Sequence, residues 1–154
     1  MNFTTTLSLP FYLGKTVEEN CALLDDFFFN EKNFGTDLEG FLTLTGTDGR
    51  ENTWKIVSIV EDGKCVTARV DFDQDNVTFL GVPIGLDNSL SVTETAVALQ
   101  SSGQRVIAQT HDLVLPEHFI TIEPRNSICY WDRTYWTQEE FLKETVQPPR
   151  HAAL

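Results

Sequence analysis

Basic residues are scarce in this 154-residue chain, and their scarcity argues against two classes of partner. Lys and Arg number 11 against 23 Asp and Glu, which gives a formal net charge of -12 at pH 7. Nucleic acids and anionic membranes both attract Lys and Arg, so we expect neither as a partner. The acidic residues are dispersed rather than gathered in a tail, and such a surface suits a basic protein partner.

Long apolar runs and paired cysteines are also missing, and we expect no secretory leader. No apolar run approaches the roughly 20 residues that a membrane-spanning helix needs. The three cysteines, Cys21, Cys65 and Cys129, are odd in number and lie far apart. This spacing argues against a disulfide framework and favours buried free thiols in a reducing compartment. Because the N-terminus lacks the basic and apolar regions of a signal peptide, we expect a cytoplasmic protein.

Catalytic and metal-binding motifs are absent or incomplete. The chain has no G-x-S-x-G, no H-E-x-x-H and no phosphate-binding glycine loop, so we predict no cofactor and lean against an enzyme. Asp71, Asp73 and Asp75 have the spacing of a calcium loop, but Val82 stands where a bidentate Glu is needed. We therefore interpret this segment as a solvated turn and predict no metal site.

Two histidines have carboxylate neighbours, in His111-Asp112 and Glu117-His118. Adjacent residues of a strand point to opposite faces, so neither pair is poised for catalysis by sequence alone. A hydrolase or isomerase that uses His111 or His118 with carboxylates remains the third functional hypothesis.

Alternating apolar and polar residues fill the middle of the chain, from Gly40 to Ile122. Segments rich in Val, Ile, Thr and Phe are divided by turn signals at hairpin spacing, which predicts seven strands of an antiparallel meander. The turn signals are Thr47-Asp48-Gly49, Glu61-Asp62-Gly63-Lys64, Asp73-Gln74-Asp75-Asn76 and Ser101-Ser102-Gly103-Gln104. We expect antiparallel strands over 40–136, with 30–39 as a polar loop. The predicted strands include 77–84, Leu90 to Leu99 and 105–115, and 3–9 is a further strand before the first helix.

Two helices are predicted to flank the meander. A capping box of Thr16 and Glu19 opens a helical pattern over 16–29, and Thr137 with Glu140 opens a second, shorter one over 137–146. Residues 1–15 are interpreted as a strand and connector, and 147–154 as a tail. The sequence thus predicts one α+β domain over 1–154, mostly β: a curved sheet or partly open barrel with the first helix packed on it.

Aromatic residues concentrate late in the chain, and we take this 130–136 cluster as the candidate interaction site. If this segment is a strand, aromatic side chains point to both of its faces, and one core cannot hold them all. Either the second helix covers one face, or that face is open to a partner. The candidate residues are Tyr130, Trp131, Asp132, Arg133, Tyr135 and Trp136.

The leading functional hypothesis is a non-enzymatic, acidic protein-interaction or assembly module. Its partner would be another protein, for example a basic one capped by an inhibitor or immunity-type protein, or copies of itself in a virion or other multimer. The alternative is a β-barrel that binds a small apolar ligand in a cavity. The residues expected to line that cavity are Phe27, Phe28, Trp54, Phe72, Phe79 and Trp131.

Overall fold

Strands dominate the chain, whose computed structural model describes residues 1–32, 35–45 and 49–146, with the backbone alone described for 29–32 and 35–36. Strands account for 39% and helices for 17%, so the fold is α+β and mostly β, as predicted. In chain order the described elements are β1 (Asn2–Phe3), α1 (Val17–Cys21), β2 (Asp25–Lys32), β3 (Gly35–Thr45), β4 (Glu51–Glu61), β5 (Lys64–Cys65), β6 (Thr67–Asp71), β7 (Thr78–Phe79), β8 (Val82–Pro83), α2 (Val92–Ser101), β9 (Ile107–Ala108), β10 (Leu113–Leu115), β11 (Ile120–Glu123), β12 (Ser127–Trp131) and α3 (Gln138–Thr145).

Nine strands form one antiparallel sheet. Within the described part of the chain its two outermost strands do not pair with each other, so the sheet is open and not a closed barrel. Its order is β2-β3-β4-β6-β12-β11-β10-β9, with β5 also paired to β4. The sheet is therefore two meanders, β2 to β6 and β9 to β12, joined where β6 pairs with β12. The chain between these two strands, 72–126, leaves the sheet after β6 and returns through β9 to β11.

Two residues with left-handed backbone conformation form the tight turn between β4 and β5. Asp62 and Gly63 have φ of 53° and 72°, so two residues suffice to pair Glu61 with Lys64. This is the turn that the sequence predicted. The turn at Thr47-Asp48-Gly49 lies largely outside the described residues, although Thr45 pairs with Glu51 on either side of it.

The main core lies on one face of the nine-stranded sheet. Strand alternation places residues such as Leu38, Ile56 and Val70 on this face, where they are buried. Phe3 packs edge-on against Trp54 with ring centroids 5.7 Å apart. A small sheet of order β1-β7-β8 and the helix α2 contribute to the same core.

A second, smaller core lies on the opposite face, beneath α3. Phe141 of this helix stacks on Phe119 at 5.1 Å and packs with the buried Val114. The helix begins with the predicted capping box, in which Thr137 and Glu140 each satisfy the other's backbone N–H. The expected tail, 147–154, lies outside the described residues.

The predicted helix over 16–29 is correct only in its first turn. Thr16 and Glu19 form the capping box, but α1 ends at Cys21 and β2 begins at Asp25. Asp26 has a φ of 46°, which no helix interior tolerates, and the phenylalanines that follow favour a strand. The loop predicted over 30–39 is wrong for its described residues. The end of β2 and the start of β3 lie there, and they pair with each other.

The segment Leu90 to Leu99, predicted as a strand, contains most of α2. Ser91 caps this helix, and its hydroxyl accepts a hydrogen bond from Glu94 N at 3.0 Å. Three further strands are shorter than predicted. Of residues 3–9, only Phe3 belongs to a strand, β1, which pairs with β7 in parallel. The segment 77–84 contains two short strands, β7 and β8, which form a hairpin. The segment 105–115 contains β9 and β10. Asp73 to Asn76 therefore connects two different sheets rather than closing a hairpin.

Candidate functional site

The 130–136 cluster is half strand and half turn. β12 ends at Trp131, so the strand predicted through Trp136 is wrong beyond that point. The Asp132 carboxylate ends it, because Asp132 Oδ1 accepts hydrogen bonds from Thr134 N at 3.0 Å and Thr134 Oγ1 at 2.9 Å. Tyr130 points into the main core, and its hydroxyl donates to the Thr4 carbonyl at 2.8 Å.

The two tryptophans of the cluster pack against α3. Trp131 lies 5.0 Å from Trp136 and 5.5 Å from Phe141, measured between ring centroids. Trp136 is anchored further by its indole N–H, which donates to the Val66 carbonyl at 3.1 Å. The helix thus covers the sheet face that carries Trp131. Tyr135 stays outside this packing, with 42% of its surface exposed.

A cavity of about 370 Å³ lies beside the cluster, between β12 and the N-terminal connector. We call it the corner cavity. It receives four of the six predicted residues, whereas Tyr135 and Trp136 lie outside its lining. Its full lining is Thr5, Thr6, Leu7, Phe11, Tyr12, Leu13, Lys15, His118, Tyr130, Trp131, Asp132 and Arg133.

The connector wall of the corner cavity is held by backbone and amide contacts. The buried Asn20 donates from Nδ2 to the Tyr12 carbonyl and accepts from Tyr12 N, both at 2.8 Å. Gly14 N donates to the Cys65 carbonyl, and Cys65 N donates to the Lys15 carbonyl. Sequence reasoning missed this wall, because the contacts join parts of the chain that share no periodic pattern. The capping box that places Asn20 in α1 was the one readable signal.

Basic side chains outnumber acidic ones around the corner cavity, which reverses the balance of the whole chain. Lys15, His118 and Arg133 line it, and the described residues contain no carboxylate within ion-pair distance of any of the three. The Arg133 guanidinium lies 5.1 Å from the centre of the Phe119 ring. Asp132 is the one acidic residue in the lining, and both its oxygens contact the Thr134 hydroxyl.

A shallow groove runs across the part of the sheet face that α3 leaves uncovered. It has a volume of about 360 Å³ and contains Arg69 and Cys129. Arg69 Nε donates to Asp71 Oδ1 at 2.8 Å, and this contact raises the pKa of Arg69 although burial opposes the charge. Burial raises the pKa of the Cys129 thiol to about 12. Cys129 is therefore a protonated, unreactive thiol at neutral pH.

The histidines and acids that suggested chemistry do not converge. His111 is exposed at a turn, whereas His118 is half-buried in the corner cavity. Burial raises the pKa of Asp112, which accepts a hydrogen bond from Gln109 at 2.7 Å. Asp71 pairs with Arg69, and within 1–32, 35–45 and 49–146 no three His, Cys, Asp or Glu side chains gather as a metal site.

The residues expected to line a barrel cavity are dispersed over the molecule. Trp54, Phe72 and Phe79 are packed in the main core, and Trp131 lies on the opposite face. Phe27 and Phe28 are 46% and 51% exposed on β2. The predicted six-residue pocket is therefore wrong, since three of its members fill the core and two face solvent.

One edge of the sheet carries two exposed aromatic side chains, those of Phe27 and Phe28. β2 is the terminal strand of the nine, and no described strand pairs with its outer side. Asp25, Asp26, Phe27 and Phe28 are all exposed there, and we call these four residues the β2 edge surface. Phe27 borders an open hollow that also contains Glu18, Asp62 and Lys64.

Comparison of the chain with protein-family models, with curated proteins and with solved structures finds no match. Among the helices described, none combines the length and the apolar character that crossing a bilayer requires.

Proposed function

We propose that the protein is a non-enzymatic interaction module that adds a basic, extended segment of another protein to the outer side of β2. The observation that carries this proposal is the β2 edge surface: an unpaired strand edge that presents Phe27 and Phe28. An unpaired edge offers a row of backbone donors and acceptors, which is the template that strand addition uses. The two aromatic side chains supply apolar contact at low entropic cost.

Charge favours a basic partner over a second copy. Asp25 and Asp26 lie on the edge itself, and Glu18 and Asp62 border the adjacent hollow, where Lys64 is the single base. Two copies would each bring a net charge of -12 to the contact. Like charges facing each other across an interface oppose association, whereas a basic segment would be steered toward this edge.

Exposure of Tyr135 makes the 130–136 cluster the competing interaction surface. Tyr135 packs edge-on against Trp136 at 4.9 Å, and both tryptophans are engaged with α3 or the Val66 carbonyl. This leaves one exposed aromatic side chain and no free strand edge at that position. The β2 edge surface combines both features, so we place the interaction there.

The same proposal includes a reducing, cytoplasmic location. Cys21, Cys65 and Cys129 are all unpaired, and Cys65 is fully enclosed in the main core. Free thiols persist where glutathione and thioredoxin keep them reduced.

The test uses an extended peptide of about ten alternating Lys and Val residues as the probe. We expect binding that weakens as salt rises, together with slower amide hydrogen exchange across Asp25–Lys32. Phe28→Ser should reduce the affinity at least about tenfold, which corresponds to ~1.4 kcal/mol. Tyr135→Ser is the matched control and should leave the affinity unchanged.

Three results would overturn the proposal. The first is that the peptide fails to bind, and the second is that Tyr135→Ser rather than Phe28→Ser abolishes binding. The third is a concentration-dependent dimer, measured by light scattering on a sizing column and lost in Phe28→Ser, which would make a second copy the occupant of the edge.

A further inference from the structure

The corner cavity is a second feature with the dimensions of a binding site, and it is independent of the β2 edge surface. Its volume of about 370 Å³ is within the range of small-molecule pockets, about 300–1,000 Å³. Its walls come from the connector, from β12 and from the turn before β11. The connector wall is held by the hydrogen bonds of Asn20 and Gly14, the turn after β12 by Asp132, and the turn before β11 by the hydrogen bond from His118 N to the Leu115 carbonyl. The cavity is open to solvent on one side, and the backbone of its walls is held by these contacts.

The charges around the cavity indicate an anionic ligand. Lys15, His118 and Arg133 come from three separate places in the chain, yet they line the same space. In a chain with 23 Asp and Glu against 11 Lys and Arg, a cavity lined by one Lys, one Arg and one His with a single Asp runs against the composition. Asp132 keeps its negative charge and offsets part of this basic charge, but its carboxylate accepts hydrogen bonds from Thr134 N and Oγ1 and forms no ion pair with any of the three basic side chains. Basic donors that no protein carboxylate pairs with are available to a ligand carboxylate.

The remaining walls indicate the body of the ligand. Tyr12 and Trp131 supply most of the aromatic surface, because Phe11 and Tyr130 are each only 3% exposed, and Leu7 and Leu13 supply aliphatic surface. Aromatic rings prefer offset or edge-on contact with a second ring, and the cavity is large enough to admit one. A ligand that satisfies both observations has a ring at one end and a carboxylate at the other.

We propose that the corner cavity binds a small aromatic carboxylate, whose carboxylate is held by Lys15, Arg133 and His118 and whose ring lies between Phe11, Tyr12 and Trp131. Arg133 is preorganised for this role by the Phe119 ring beneath its guanidinium. Lys15 is fixed at its backbone by the Cys65 N–H. This site goes beyond the strand-addition function, since it uses none of the residues of the β2 edge surface.

The experiment compares matched ligands that differ only in charge. Benzoate, 3-phenylpropanoate and indole-3-acetate are titrated against the corresponding amides, and binding is followed by calorimetry and by amide chemical shifts. We expect at least one carboxylate to bind about tenfold or more tightly than its amide. Its shifts should be confined to the connector, His118 and residues 130–133.

Variants then separate the site from general charge attraction. Arg133→Gln and Lys15→Gln should each weaken the carboxylate about three- to tenfold and leave the amide unchanged. Lys143→Gln removes the same charge from an exposed position on α3 and should have no effect. All three side chains act at the surface or the cavity mouth, and thermal denaturation confirms that each variant folds.

The proposal fails if none of the three carboxylates binds, or if each carboxylate binds no better than its amide. It also fails if the shifts centre on Arg69 in the groove, or if Lys143→Gln weakens binding as much as Arg133→Gln. Because these ligands and variants leave Phe27 and Phe28 untouched, failure here is distinct from failure of peptide binding at β2.

Discussion

Gly14 lies where the N-terminal connector passes the carboxylate of Asp132. Its φ is 77°, and a Cβ built there would lie 2.9 Å from Asp132 Oδ2. Asp132 cannot easily retreat, because Thr134 N and Oγ1 hold its other oxygen. The position therefore needs glycine both for its backbone conformation and for the close approach of the carboxylate.

We expect Gly14→Ala to lower the free energy of unfolding by about 2 kcal/mol, of which about half is backbone strain. Gly81→Ala is the matched control, because Gly81 has a φ of 82° and nothing within 4 Å of its built Cβ. It should cost about 1 kcal/mol from the backbone alone. Urea denaturation of both variants measures the difference, and equal costs would show that the contact with Asp132 adds no penalty.

The Cys129 thiol makes stability depend on alkaline pH. Burial raises its pKa from 9.0 to about 12 in the folded protein. Between these values the unfolded chain has lost this proton and the folded chain retains it, so stability falls as the pH rises. Below pH 9 the contribution is fully present. The slope from one such group is at most about 1.4 kcal/mol per pH unit.

Cys129→Ala should therefore flatten the fall in unfolding free energy between pH 8 and pH 10, measured with urea at each pH. Above pH 10 Tyr130 adds a fall of the same sign in both proteins, because burial also raises its pKa. Cys21→Ala is the comparison at a second thiol, and because burial raises its pKa in the same direction, it should flatten the fall to a smaller degree. An unchanged slope in Cys129→Ala would show that this thiol ionises as easily in the fold as in the unfolded chain.

At the scale of elements, α2 depends on a cap that links it to the preceding loop. Ser91 Oγ accepts from Glu94 N at 3.0 Å, and Glu94 Oε1 accepts from Ser91 N at 3.2 Å. The buried residues Thr95, Ala96 and Leu99 then face the core. We expect Ser91→Ala to cost about 1 kcal/mol of unfolding free energy. The exposed neighbour Ser89 is the control, and a thermal shift for Ser89→Ala as large as for Ser91→Ala would contradict the capping role.

The same cap was readable in the sequence, where Ser91 and Glu94 have the capping-box spacing. The strand prediction followed the apolar residues after Leu90 and did not use this spacing, and a short apolar pattern fits a strand and a helix equally well. In α1 the error was opposite. The box at Thr16 set the start correctly, but the helical spacing of Leu24 and Phe28 extended it past its end. That segment instead pairs with the adjacent strand β3, and this pairing outweighs the helical spacing of its apolar residues.

The 130–136 cluster shows which part of a site the sequence can predict. Tyr130, Trp131, Asp132 and Arg133 were selected for their residue types, and all four line the corner cavity. Lys15 and Tyr12 complete that cavity from more than a hundred residues away along the chain. Their placement depends on Asn20 and on the pairing of the connector with β5, which no local pattern encodes.

At the scale of the whole molecule, the order of the strands was the feature hardest to predict. The turn signals at Gly49 and Gly63 indicated neighbours in sequence, and the first meander follows them. The join between β6 and β12 does not, since it pairs Ala68 with Tyr130. Such a join depends on the whole intervening segment folding back, so periodicity predicted one continuous meander, where the structure has two that meet at β6 and β12.

The net charge of -12 should make the folded state more stable in salt than in low-ionic-strength buffer. Folding brings the dispersed acidic residues closer together, and salt screens their repulsion over about 10 Å at 0.1 M. Salt also weakens ion pairs such as Lys55–Glu39 and Arg105–Glu117, but the first is long at 3.9 Å and the second is exposed, so both contribute little. We therefore expect screening of repulsion to dominate, with a gain in unfolding free energy on the order of 1 kcal/mol between 0.02 and 0.3 M NaCl.

Urea midpoints at pH 7 measure this gain in unfolding free energy, and the gain should shrink at pH 5, closer to the isoelectric point of about 4.5. A loss of stability with added NaCl at pH 7 would instead show that attractive pairs dominate the electrostatics of the fold.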